Sequence, residues 1–294
     1  MTSDFARALV VANPVARRNA HRLIEALKRS SPSAIHWTVI ETQPTALQRG
    51  ELETEARNAD VLIAVGGDGT VTEALTGIGD AHLPLAILPG GSTNVIAQEL
   101  GVPNEPAEVS RLVFGEHSIR LMDAALCNDR LFLHMAGAGF DSRIFDSTDA
   151  NLKRRIGWVA YLPSAAQSLR LPPSRFLVET ESARFELTSP MVLVANGAGI
   201  IRPNLYVYPG ILPDDGWLDL IAVTATTPRA IAGVLARFAS RGMQRSPHVL
   251  HARARRIRIE AEPRMPVQVD GDVIGSTPAD IRMSPHQVRI IVSA

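Results

Sequence analysis

The sequence predicts an α/β N-terminal domain with a parallel sheet, followed by a β-rich C-terminal domain. Short apolar runs alternate with helix-like segments up to about residue 100, and strand-like stretches meet at turn signals beyond about residue 120. A length of 294 residues also exceeds a typical single domain. The division is placed at residues 1–121 and 122–294, with the final strand, about 286–294, a candidate to pack back on the first domain.

Taken in order, Ala8 to Ala12 reads as a strand and Ala16 to Lys28 as a helix. Ala34 to Glu41 and Thr45 to Arg57 repeat the pair, as do Val61 to Val65 with Val71 to Gly77, and Leu85 to Leu88 with Thr93 to Leu100. Continuous apolar strands between amphipathic helices imply a parallel sheet covered on both faces, with ligands at the carboxyl ends of its strands. Three polar turns lie at such ends: Asn13-Pro14, Gly66 to Thr70, and Pro89 to Asn94.

The second of these turns is the most informative. An apolar strand runs into Gly66-Gly67-Asp68-Gly69-Thr70, and glycines there free the backbone to aim successive N–H groups at one anion. The helix that follows adds its positive end. Asp68 repels phosphate, so its presence makes sense if a divalent cation joins it to the anion. In Gly91-Ser92-Thr93-Asn94 the hydroxyl and amide side chains suit a helix N-cap, and capping is compatible with nucleotide contact.

Further on, Arg120 to Cys127 and Arg130 to Ala136 flank Asn128-Asp129 as a hairpin. Arg175 to Thr180 pairs with Arg184 to Thr188, and Pro266 to Val269 pairs with Val273-Ile274 across Asp270-Gly271-Asp272. Asp-Gly in that place favours the mirror-image turns with positive φ. Helices are expected at Lys153 to Leu169 and Arg229 to Ala239. Pro213-Asp214-Asp215-Gly216 is either a solvent turn or a Mg²⁺ or Ca²⁺ site, and Asp141 either caps a helix or faces a ligand. The Arg253 to Arg258 stretch reads as one strand with a solvated face; it and Lys153-Arg154-Arg155 also suit contact with anionic lipid.

Composition excludes several classes. Thirty basic residues balance thirty acidic ones, which argues against nucleic acid as the partner. The single Cys127 excludes an intramolecular disulfide and fits a reducing compartment. No apolar run of roughly 18 residues predicts a membrane span, so membrane contact is expected to be peripheral and the location cytoplasmic. The eight histidines show no zinc spacing.

The motifs together resemble the diacylglycerol kinase catalytic family, which includes bacterial lipid kinases and sphingosine kinases. The resemblance rests on Asn13-Pro14, Gly66 to Thr70 with Glu73, Gly91 to Asn94 with Glu99-Leu100-Gly101, Gly139-Phe140-Asp141, Asn196-Gly197, Asp214 to Asp219, and Val269 to Asp272. It implies an α/β nucleotide domain shared with NAD kinases, a sandwich-like C-terminal domain, and ATP in a cleft between them. It also implies that ATP meets Asn13, Thr42, Gly66, Gly67, Asp68, Gly69, Thr70, Val71, Thr72, Gly91, Ser92 and Thr93. Asp270 matches the family's general base, Asp68 and Asp272 its Mg²⁺ and water network, and Leu212, Asp215 and Trp217 a structural metal site taking Mg²⁺ or Ca²⁺. Departures stand at Val95, at Asp272 where glutamate is common, and over residues 198–203. The implied activity is ATP-dependent phosphorylation of a lipid hydroxyl on diacylglycerol, phosphatidylglycerol or a sphingoid base. The acceptor is expected to enter past Ile200, Ile201, Leu205, Trp158 and Tyr161 at the membrane surface. A homodimer is compatible with this. The alternatives are an NAD kinase-like metabolite kinase and a non-catalytic nucleotide- or lipid-binding regulator.

Overall fold

The computed structural model describes residues 5–14, 19–42, 47–91, 94–139, 173–197, 208–240 and 242–294. Outside them lie Ser92, Thr93, Asp141, the expected helix Lys153 to Leu169 with its basic segment and Trp158 and Tyr161, the 198–203 departure, and Leu205. The chain forms two compact units: Met1–Met122 with His286–Ala294, and Asp123–Pro285.

In the first unit, β1 (Arg7–Ala12), β2 (His36–Glu41), β3 (Val61–Gly66) and β4 (Leu85–Pro89) are mutually parallel, and β5 (Ser118–Met122) lies at an edge. The last strand of the chain, β18 (Val288–Val292), inserts between β4 and β5, giving the order β2-β1-β3-β4-β18-β5. It runs parallel to β4 and antiparallel to β5. Every residue of β3 and β4 is buried, as expected of strands covered on both faces.

Helix α1 (Ala20–Arg29) and helix α5 (Pro106–Phe114) cover one face, burying Leu23, Ile24, Leu27, Val109 and Val113 against β1, β3 and β4. Asn19 caps α1 through Oδ1, which accepts from Arg22 N. On β3 also packs α3 (Asp68–Gly77), itself close to α2 (Leu47–Ala56): a Cβ on Gly77 would lie 2.4 Å from Leu52 Cδ1. The sequence reading did not anticipate α5, although Pro106 opens it and Val109, Leu112 and Val113 supply its apolar face.

The second unit contains two antiparallel six-stranded sheets. One has the order β10-β9-β14-β17-β6-β7, from β6 (Ala125–Cys127), β7 (Arg130–Phe132), β9 (Ser174–Thr180), β10 (Arg184–Ser189), β14 (Arg256–Glu262) and β17 (Ala279–Met283). The other has the order β13-β12-β11-β8-β15-β16, from β8 (Met135–Ala138), β11 (Val192–Ala195), β12 (Leu218–Val223), β13 (Val249–Ala254), β15 (Pro266–Val269) and β16 (Asp272–Ser276). Phe132, Phe176, Ile257 and Ile281 from the first meet Val192, Val194, Leu220 and Val267 from the second in one core, so the unit is a β-sandwich. Cys127 belongs to that core, and burial, with Asp280 adding to it, pushes its thiol pKa up to about 12. On the outer face of the second sheet, α6 (Pro228–Ala239) packs Val234 against Leu193, Ile221 and Val223.

Three strand readings are corrected. Arg120 to Cys127 is not one strand: it breaks at Asp123, whose backbone N–H leaves the ladder for Pro213 O at 2.7 Å, so β5 belongs to the first unit. Arg130 to Ala136 breaks at Leu133-His134, whose amides donate to a side chain instead. Arg253 to Arg258 breaks at Arg255, where the chain passes from one sheet of the sandwich to the other.

Candidate active site

In the first unit the carboxyl ends of β2, β1, β3 and β4 lie side by side, and each is tied to a neighbour beyond its last rung. Thr42 N donates to Ala12 O, Asn13 N to Val65 O, and Gly90 N to Gly66 O, at 2.7, 3.1 and 2.7 Å. The rim therefore brings Asn13, Thr42, Gly66, Gly67 and Gly91 together on adjacent strands, at the edge where sheets of this kind take ligands.

The glycines serve close approach here, not left-handed backbone. Gly66, Gly67, Gly69 and Gly91 are absent from the positive-φ positions, and Gly67 is extended at φ −95°, ψ −172°. A Cβ on Gly66 would fall 2.2 Å from Thr70 Oγ1, and one on Gly91 would fall 2.6 Å from Gly67 Cα. The two glycine loops thus pack backbone against backbone. Gly91→Ala is expected to cost about 1–3 kcal/mol, since the obstructing atom is main chain and cannot swing aside. Urea unfolding measures this, and an unchanged midpoint would show that the loops separate freely.

Helix α3 starts after Gly67, which as a glycine offers no side-chain cap; within its first turn Thr70 N donates to Gly67 O at 3.0 Å. Thr70 Oγ1 is buried in the same turn with no hydrogen-bond partner among the described residues. Val71 and Thr72, both expected to contact ATP, are buried at 1% and 3% exposure. Thr72 Oγ1 turns back to Gly69 O at 3.0 Å.

Asp68 has a partner the sequence did not disclose. Its Oδ2 accepts from Val95 N and its Oδ1 from Ile96 N, each at 3.0 Å, so it caps α4 (Val95–Glu99) from the neighbouring helix. Burial raises its pKa, and the two amides oppose that rise. Asn94, at the N-cap position of α4, bonds instead to Gly91 in both directions, Gly91 N donating to Oδ1 at 3.0 Å and Nδ2 donating to Gly91 O at 3.1 Å. The carboxylate that suggested a cation is also the anchor of the second glycine loop.

In the second unit, Asp270 and Gly271 join β15 to β16 with φ of +46° and +99°, the positive pair expected of Asp-Gly in a tight hairpin. That backbone directs the Asp270 carboxylate at the segment entering β8. Oδ1 accepts from His134 N at 3.1 Å and Met135 N at 2.8 Å, and Oδ2 accepts from Leu133 N at 3.1 Å. Asp270 N returns a bond to Met135 O at 2.8 Å. Asp272 does not join this cluster: it is exposed and pairs with Arg130 Nη2 at 3.3 Å.

The expected metal turn is organised by arginines. Asp215 accepts from Trp217 N at 3.1 Å and pairs with Arg253. Arg253, opposite Asp219 in the β12–β13 register, also reaches Asp219 Oδ1 at 3.7 Å. Arg255 Nε donates to Gly216 O at 3.3 Å, and its guanidinium lies 5.0 Å from the Trp217 ring centroid. Asp123, which the sequence reading passed over although it is a lone acid in an apolar run, accepts from Gly216 N at 2.6 Å. Among the described residues no three His, Cys, Asp or Glu side chains gather to hold a metal. A carboxylate neutralised by a guanidinium does not fit a resident divalent cation at Leu212, Asp215 and Trp217. Without nucleotide, thermal unfolding is expected at the same temperature in EDTA as in millimolar Mg²⁺ or Ca²⁺. A rise of more than about 2 °C with metal, abolished in Asp215→Asn, would contradict this.

Comparison with known proteins agrees with this architecture. The diacylglycerol kinase catalytic domain profile matches residues 7–126, and the YegS C-terminal NAD kinase beta sandwich-like domain profile matches residues 134–292. The chain belongs to the diacylglycerol kinase catalytic family. Its relatives in this family include a Bacillus subtilis protein named diacylglycerol kinase, 25% identical and covering 97% of this chain and 96% of its own. Another is a Pseudomonas aeruginosa protein named "Probable lipid kinase YegS-like", 29% identical over 82% of this chain and 80% of its own. Two Bacillus anthracis crystal structures align with TM-scores of 0.79 and 0.80, each at 26% identity over 99% of this chain and 98% of the other. One profile thus covers most of the first unit and the other most of the second, in the order seen here.

Proposed function

We propose that the protein is an ATP-dependent kinase that phosphorylates the hydroxyl group of a lipid. The observation that carries this reading is Asp270, a carboxylate fixed by three main-chain amides at a hairpin in the position of the family's base. The start of α3, beside Gly66 and Gly91 where a Cβ would clash, is the complementary feature for phosphate. No described helix is long and apolar enough to cross a membrane, so a lipid acceptor would be met at a surface.

ATP enters as its Mg²⁺ complex, the cation neutralising phosphate charge. The Gly67 and Gly69 amides at the start of α3 and Thr70 Oγ1 orient the triphosphate, while the Gly90 and Gly91 amides, taken by Gly66 O and Asn94 Oδ1, hold the loop that shapes the rim. Asp270 accepts the proton of the acceptor hydroxyl as its oxygen bonds to the γ-phosphorus. The bond to the β–γ bridging oxygen breaks and ADP leaves with that electron pair. Positioning and charge stabilisation supply most of the rate in such transfers.

Incubation with γ-labelled ATP, Mg²⁺ and total lipid extract, followed by mass spectrometry, tests donor and acceptor together. A labelled phospholipid is the expected product. Label passing to NAD instead, or to neither, would overturn the reading.

A further inference from the structure

We infer that Asn196 is a positioning residue for Asp270, acting through the segment Leu133-His134-Met135; this rests on the kinase reading above. Strand β8 lies between β11 and β15 in its sheet, and each flanking strand ends in a residue that grips the segment entering β8. Asp270, following β15, takes the amides of residues 133, 134 and 135. Asn196, following β11, takes the carbonyls of residues 133 and 134 from the opposite side. Its Nδ2 donates to Leu133 O at 2.7 Å, while Asn196 N and Gly197 N both donate to His134 O at 2.9 Å.

The other Nδ2 hydrogen goes to Asp123 O at 2.9 Å, tying this clamp to the residue that holds Gly216 and Pro213. Two carbonyl acceptors fix which end of the amide is nitrogen. Asn196 is completely buried, and its Oδ1 has no hydrogen-bond partner among the described residues. The side chain is therefore kept for its two donors, which a carboxylate of the same shape cannot supply. With the carbonyls held from one flank, the three amides present a rigid face to Asp270 on the other. Loss of the clamp would let that face turn and carry the carboxylate with it, and small displacements at a reacting group are costly in rate.

Hydrogen–deuterium exchange tests the clamp without reference to activity. In the wild type the Leu133 and His134 amides, although outside any strand, are expected to exchange as slowly as those of β8. In Asn196→Ala they are expected to exchange at least tenfold faster, with the first unit unchanged; Asn196→Asp, of identical shape, is expected to do the same. Fast exchange in the wild type, or no change in a folded variant, would overturn the inference. With the lipid acceptor identified above, kcat should fall at least tenfold in Asn196→Ala while KM for ATP stays within twofold. A kcat that follows only the folded fraction would mark Asn196 as structural and also overturn it. If the wild type phosphorylates no lipid, the kinase reading fails by itself, and the exchange result still decides whether Asn196 holds the segment.

Discussion

Asp270→Asn is expected to lower phosphoryl transfer by at least about 100-fold, the lower end of what a positioned proton acceptor contributes. The amide has no basic oxygen pair to receive the hydroxyl proton. Its geometry fails as well, because the carboxylate faces three N–H donors and an Asn side chain would turn a fourth N–H toward one of them. With Oδ1 kept toward His134 and Met135, Leu133 N would lose its acceptor at a cost of about 1–3 kcal/mol. Both activity and stability therefore fall, and the two must be separated by thermal unfolding and by ATP binding. A folded Asp270→Asn protein that binds ATP and retains full transfer would remove Asp270 from the chemistry.

The second large effect is on stability in acid. Burial lowers the His134 pKa from 6.5 to about 4, so the folded protein holds a neutral imidazole where the unfolded chain holds a charged one. Between those two values the unfolded state binds more protons, so stability falls as pH falls and is fully present above about 6.5. A shift of that size corresponds to roughly 3 kcal/mol between pH 7 and pH 4. Urea midpoints across this range should drop more steeply in the wild type than in His134→Gln, which cannot titrate. Parallel curves would refute the assignment. His134 N is one of the amides on Asp270, so acid opening of this segment would disorder the proposed base along with the core.

Much of the fold was legible because it depends on local pattern. The buried runs of β1, β3 and β4 and the polar turns after them require only period and punctuation, and Asp270-Gly271 announced its hairpin by φ preference alone. What escaped depends on partners far away in sequence. Asp68 reads as a phosphate-site acid, and nothing near it in sequence announces that residues 95 and 96 place their amides on it; Asp123 reads as a strand residue until the 213–216 turn takes its backbone. Asp215 reads as a cation ligand until the strand register sets Arg253 opposite Asp219. For the glycines the choice of residue was legible, but its reason was not. Their φ values are ordinary, and the constraint is the approach of Gly91 to Gly67, which no single-chain pattern encodes.

The place of β18 sets an order on biosynthesis. Strand β5 is joined to the first sheet only through β18, and residues 288–292 leave the ribosome some 165 residues after β5. The first sheet therefore stays unfinished, with the β4 edge exposed, until the whole sandwich has been translated. During that interval the N-terminal half depends on its helices, or on a chaperone, to keep the open edge from pairing with another nascent chain.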